Sequence, residues 1–123
     1  MLVQRVQIVS VPSSDQDRSM AFYKDALGFE VINDAPMGPT MRWLQMAVPG
    51  TTFSITFTTW FDNAPGSLQG FMLNVDDVEA FATHLHSLGY LESTEVSQQP
   101  WGRYVTVRDP DGNGIIIQQD PDR

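Results

Sequence analysis

Phe71-Met72-Leu73-Asn74-Val75-Asp76-Asp77-Val78-Glu79-Ala80-Phe81-Ala82-Thr83-His84-Leu85-His86-Ser87-Leu88-Gly89-Tyr90 is a complete structural phrase: an alternating strand, an acidic helix start, an amphipathic helix and a glycine exit. Asp77 suits the N-cap, because its carboxylate accepts from the free N–H groups of the first turn and faces the positive end of the helix dipole. Val78, Phe81, Leu85 and Leu88 recur at helical spacing, so this helix has one face to bury. Gly89 then ends it, since glycine enters the left-handed C′ conformation without a Cβ penalty. Some sixty residues upstream the same grammar occurs: Val9-Ser10-Val11-Pro12 leads through Asp15 into Met20-Ala21-Phe22-Tyr23-Lys24-Asp25-Ala26-Leu27-Gly28-Phe29. There Met20, Tyr23 and Leu27 form the apolar face, Phe22 and Tyr23 are core, and Gly28 is the exit. The chain is therefore an internal repeat.

Three strand-like runs follow each helix, at about 29–32, 41–48 and 52–59 in the first copy and at 90–96, 103–108 and 114–119 in the second. Turn-formers separate them: Asn33 to Pro39, Pro49-Gly50, and Asp109-Pro110-Asp111-Gly112-Asn113. The predicted architecture is α+β, a single domain over 1–123 built from two βαβββ modules at 1–60 and 68–119, with 61–67 as linker. Phe53, Ile55 and Phe57 alternate with Ser54, Thr56 and Thr58, so one face of that strand is apolar and the other small and polar. Two curved mixed sheets, with the helices on their outer faces, leave a cleft between their free faces, the default place for a small ligand.

Bulk properties narrow the class. A chain of 123 residues fits one compact unit. Fifteen acidic against seven basic residues give a net charge of −8, with a single Lys and no basic run, which argues against nucleic-acid binding. An acidic field favours a cationic ligand and equally serves solubility. No apolar run approaches the roughly 18 residues of a membrane span. Without a secretory pattern at Met1 to Val6, and with no cysteine, a cytoplasmic location is expected.

The module order together with Val11-Pro12-Ser13-Ser14-Asp15, Ala21-Phe22-Tyr23, Leu27-Gly28-Phe29 and Asp109-Pro110-Asp111-Gly112-Asn113 resembles the vicinal oxygen chelate superfamily, which includes glyoxalases, bleomycin-resistance proteins and extradiol dioxygenases. In enzymes of that superfamily a divalent metal is held in the cleft by His and Glu. Carried over residue by residue, the first-strand ligand positions seven residues before each capping Asp are Ile8 and Gly70. The Glu position after the Asp-Pro-Asp-Gly-Asn turn is Ile116, and the remaining one falls among Ser54, Ile55 and Thr56. None is imidazole or carboxylate, so the resemblance implies a member that binds without metal or other cofactor, as bleomycin-resistance dimers sequester a cationic aromatic drug. Its implied partners are a small molecule and a second copy in a homodimer, with neither nucleic acid nor membrane.

The expected ligand-binding residues are Trp43, Gln45, Thr56, Trp60, Met72, Asn74, Trp101, Arg103 and Gln118. Indoles stack on flat or cationic ligands, though core or interface packing explains any one of them alone. Gln45, Met72, Asn74 and Gln118 share a face with the vacated ligand positions, where they orient a ligand or line a solvated surface. Arg103 either pairs or stacks with a ligand or is an edge charge held by a carboxylate. His84 and His86, two apart on one helix, diverge and read as surface residues. An enzyme remains the alternative, a lyase, isomerase or dioxygenase-like protein, metal-free or with a site built from Glu30, Gln45 and Gln118. A module that binds another protein is the third reading.

Overall fold

A computed structural model describes residues 2–121. Its elements run β1 (Ile8–Pro12), α1 (Gln16–Asp25), β2 (Glu30–Pro36), β3 (Arg42–Ala47), β4 (Ser54–Thr58), β5 (Phe71–Asn74), α2 (Val78–Ser87), β6 (Ser97–Gln99), β7 (Gly102–Arg108) and β8 (Gly114–Gln119). Both helices start as their sequences require: Asp15 Oδ1 accepts from Arg18 N at 3.1 Å and Asp77 Oδ1 from Ala80 N at 3.0 Å. Each stops at a left-handed glycine, Gly28 with φ +81° and Gly89 with φ +85°.

The strands form two four-stranded mixed sheets, ordered β1-β4-β3-β2 and β5-β8-β7-β6. In each, the strand before the helix lies parallel to the last strand of its own module, so the helix is a crossover and covers one face. Odd positions of β4 and even positions of β3 point toward α1, which puts Ile55, Phe57, Leu44 and Met46 in the core with Phe22 and Tyr23. The second sheet repeats this with Val105, Val107, Ile115 and Ile117 beneath Val78, Ala82 and Leu85 of α2. The buried apolar side chains of both modules belong to one continuous cluster.

Two strands differ from the sequence expectation. β2 runs through Pro36 rather than stopping at 32, passing a register shift between Val31 and Asn33. The turn-forming Asn33-Asp34-Ala35-Pro36 is recruited into the ladder because Arg42 across the sheet binds Asp34 through Nε and Nη2 at 2.8 Å each, while its Nη1 reaches Asp17 at 2.7 Å. Those hydrogen bonds hold the Asp34 carboxyl below the usual carboxylate range. In the second module the run 90–96 has no strand partner. The short strand is instead 97–99, paired with β7 across a tight turn at Pro100-Trp101.

The Asp-Pro-Asp-Gly-Asn turn is also a clasp between modules. Asn113 donates to Pro12 O at 3.0 Å, Tyr23 donates its phenol to Asp109 at 2.9 Å, and Ser14 donates backbone N–H and hydroxyl to Asp111. Gly66, with φ +86°, lies so close to this turn that an added Cβ would collide with the Asp111 carbonyl oxygen. Gly66→Ala is therefore expected to lose about 1–3 kcal/mol of stability. Urea denaturation checks this, and an unchanged midpoint would disprove the close approach.

Candidate functional site

Helices cover one face of each sheet, and the inner faces carry the alternate side chains. On the first sheet these are Ile8, Ser10 and Pro12 of β1, Ser54, Thr56 and Thr58 of β4, and Trp43 and Gln45 of β3, opposite in parity to the core set. The hydroxyl residues of β4 are all buried, and they form a polar floor. Trp43 Nε1 donates to Gln45 Oε1 at 3.1 Å, Gln45 Nε2 to Ser54 Oγ at 2.8 Å, and Ser54 Oγ to Gln7 O at 3.2 Å. Thr56 Oγ1 donates to Leu44 O at 2.9 Å. Trp60, two residues beyond β4, faces Trp43 with ring centroids 6.5 Å apart and planes 28° from parallel. The result is an aromatic pair over a neutral floor of amide and hydroxyl groups, suited to stacking and hydrogen bonding rather than to ion pairing.

On the second sheet the inner face holds Met72 and Asn74 of β5, Tyr104 and Thr106 of β7, and Ile116 and Gln118 of β8. It is more open, with Met72 54% exposed. Trp101 is 59% exposed in the β6–β7 turn, where its carbonyl accepts a long bond from Gln118 at 3.4 Å.

The expected site residues thus divide. Trp43, Gln45, Thr56 and Trp60 come together on the first sheet, and Met72, Asn74 and Gln118 on the second, with Trp101 at its rim. Arg103 stands apart: it shares the parity of core residues Val105 and Val107, and its Nη1 pairs with Glu79 of α2 at 3.0 Å on the outer side. It borders a surface depression of about 290 Å³ with Gln98, Gln119 and Asp120, away from the inner faces. Ser10, Ser54, Thr58, Tyr104 and Thr106 are inner-face residues outside the expected ligand-binding set. Period-two parity from Ile8 and Thr56 marks Ser10, Ser54 and Thr58, but only the strand register adds Tyr104 and Thr106 to the inner face of the second sheet.

The register also decides which residue of the first module matches Ile116. Ser10 pairs with Thr56 and Met72 with Ile116, and Ser10 and Met72 each lie five residues before a capping Asp, so Thr56 is the counterpart. The four positions where the superfamily's enzymes hold a metal are then Ile8, Gly70, Thr56 and Ile116. Three offer no side-chain donor, and the Thr56 hydroxyl is bonded to Leu44 O. This donor set does not fit a divalent metal, which requires several carboxylates or imidazoles at fixed places. Among the described residues no three His, Cys, Asp or Glu side chains are grouped to hold one elsewhere. Glu30 and Gln45 belong to the first sheet and Gln118 to the second, and His84 and His86 are exposed on α2.

Comparison with known proteins agrees with this architecture. Residues 5–117 match the model of the Glyoxalase/Bleomycin resistance protein/Dioxygenase superfamily. The chain is similar to the crystal structure of TnmS3, an antibiotic binding protein from Streptomyces sp. CB03234, with 39% identity, a TM-score of 0.88, and coverage of 98% of this chain and 99% of that one. It is also similar to a glyoxalase/bleomycin resistance protein from the same Streptomyces, with 39% identity, a TM-score of 0.78, and coverage of 94% and 100% of the two chains. YetH of Bacillus subtilis (strain 168), itself uncharacterized, is 24% identical over 96% of this chain and all of its own. With the repeated βαβββ modules, the inner faces and the family match all in agreement, this chain belongs to the glyoxalase/bleomycin resistance/dioxygenase superfamily.

Proposed function

We propose that this protein binds a small aromatic or cationic molecule without metal, in a cleft lined by the inner sheet faces, and that it sequesters rather than transforms its ligand. The observation that carries this reading is the Trp43–Trp60 pair above a neutral floor, in a chain whose family metal positions are Ile8, Gly70, Thr56 and Ile116. The likeness to an antibiotic binding protein at 39% identity supports it. The net charge of −8 favours a cation by raising its local concentration.

A homodimer is part of the proposal. Among the described residues β1 pairs only with β4 and β5 only with β8, so each sheet ends on a strand with an unpaired backbone edge. Free edges are liabilities that proteins cover. A second copy that sets β1 of one chain beside β5 of the other covers both and closes each inner face against its counterpart. A cytoplasmic location is part of the proposal; separately, none of the described helices is long and apolar enough to cross a membrane.

Titration with planar aromatic cations is expected to quench tryptophan fluorescence saturably, with a dimeric mass by light scattering at micromolar concentration. Elemental analysis discriminates the enzyme alternative: stoichiometric Zn, Ni, Fe or Mn in purified protein would overturn the metal-free reading. Silence across a broad panel of aromatic cations would count against sequestration itself.

A further inference from the structure

Thr58 Oγ1 is the one buried side-chain polar atom without a hydrogen-bond partner among the described residues. Thr58 is 3% exposed, at the last position of β4. Its parity is that of Ser54 and Thr56, so it points to the inner face, and both of those hydroxyls are satisfied. The neighbours of Thr58 do not do the same for it. On one side lies Pro12, which has no N–H and whose carbonyl accepts from Asn113. On the other, the β3–β4 ladder ends at Gln45 and Thr56, beyond which Gln16 Nε2 bridges Arg42 O and Phe57 O, and the Trp43 indole N–H is committed to Gln45. Buried hydroxyls are nearly always paired, so an orphan at a strand end, between two aromatic residues of a proposed ligand site, needs a reason.

We propose that the Thr58 hydroxyl is reserved for the ligand: it donates a hydrogen bond to an acceptor atom on the rim of a planar aromatic molecule stacked against Trp43 and Trp60. The inference rests on the stacking site proposed above and adds the ligand's chemical class, a flat ring system with an edge nitrogen or oxygen lone pair. An acceptor is the partner the site lacks, since the Thr58 hydroxyl proton has no hydrogen-bond acceptor among the described residues. Trp60 lies past the end of β4 and outside the ladder.

The test uses two probes of the same shape, quinoline with a ring nitrogen at its edge and naphthalene without one, against wild type, Thr58→Val and Thr58→Ser. Calorimetric or fluorescence Kd values give a ratio of ratios in which the differing hydration of the probes cancels. The quinoline-to-naphthalene preference is expected to fall about 2–10-fold in Thr58→Val, the range of one neutral hydrogen bond, with naphthalene affinity unchanged. Thr58→Ser is expected to keep the preference. Free Thr58→Val is expected to melt at or a few degrees above the wild-type temperature, because it removes an unsatisfied buried group. If both probes bind and the preference survives in Thr58→Val, the hydrogen bond is refuted while the stacking site stands. A clear drop in Thr58→Val melting temperature would reveal a partner already present in the free protein, and this too refutes the proposal. If neither probe binds wild type, the stacking site fails and this inference fails with it.

Discussion

Trp60→Ala is expected to weaken binding of an aromatic cation by about 5–150-fold, the range set by roughly 1–3 kcal/mol for losing one stacking ring. Among the described residues the Trp60 side chain has ring contacts with Trp43 and Phe61 and no hydrogen bond, so its removal takes away ring surface. Trp43→Ala is expected to weaken binding at least as much, since it also frees Gln45 Oε1, which now accepts from the indole. The two losses share one aromatic pair and should not add. Isothermal calorimetry suits the measurement because it does not rely on the fluorophores being removed. Unchanged affinity in both variants, with binding abolished in Trp101→Ala, would move the site to the rim of the second sheet and reject the aromatic pair as its centre.

Asp109→Ala is expected to cost about 3–5 kcal/mol of stability, the scale for breaking a buried, fully engaged charged group. The carboxylate is 4% exposed and accepts four bonds: from Asp111 N at 3.0 Å, Asn113 N at 2.9 Å, Asn113 Nδ2 at 2.8 Å and Tyr23 OH at 2.9 Å. Its loss leaves four donors unmet at the joint between modules. Tyr23→Phe removes one of them and is expected to cost about 1–2 kcal/mol at neutral pH. Burial, then the negative charge of Asp109 and its hydrogen bond, push the Tyr23 phenol far above its ordinary value. The sign follows from proton counting. Above the unfolded tyrosine value of about 10 the unfolded chain loses this proton while the folded chain keeps it, so stability is fully present below that pH and declines as pH rises beyond it. Urea midpoints at pH 8 and near pH 10.5 should therefore separate more in wild type than in Tyr23→Phe. Equal separation in both proteins would contradict the buried phenol–carboxylate bond.

Some features were decided locally and were legible without coordinates. An Asp cap, a helical apolar stripe and a left-handed glycine are short-range requirements, so α1 and α2 begin and end where Asp15, Asp77, Gly28 and Gly89 dictate. The alternation from Phe53 to Thr58 announces which side chains meet the core, because a strand's period is two. The carbon side chains at Ile8 and Ile116, and Gly70 with none, likewise speak against chelation from the sequence alone.

Partnership between distant residues was not legible, since nothing local encodes it. Asn33 to Pro36 reads as a turn until Arg42 grips Asp34 from the neighbouring strand, and 90–96 reads as strand until the register with β7 selects 97–99. Arg103 is outer or inner according to one step of strand parity, and the structure gives it to Glu79. The same register makes Thr56 the counterpart of Ile116 and sets Thr58, whose hydroxyl has no partner among the described residues, beside Pro12. Residue type and short-range periodicity thus determined the modules, and the superfamily resemblance implied the missing ligands. Cross-strand register and the clasp between modules, which brings together groups as many as 101 positions apart, were decided only by the tertiary structure.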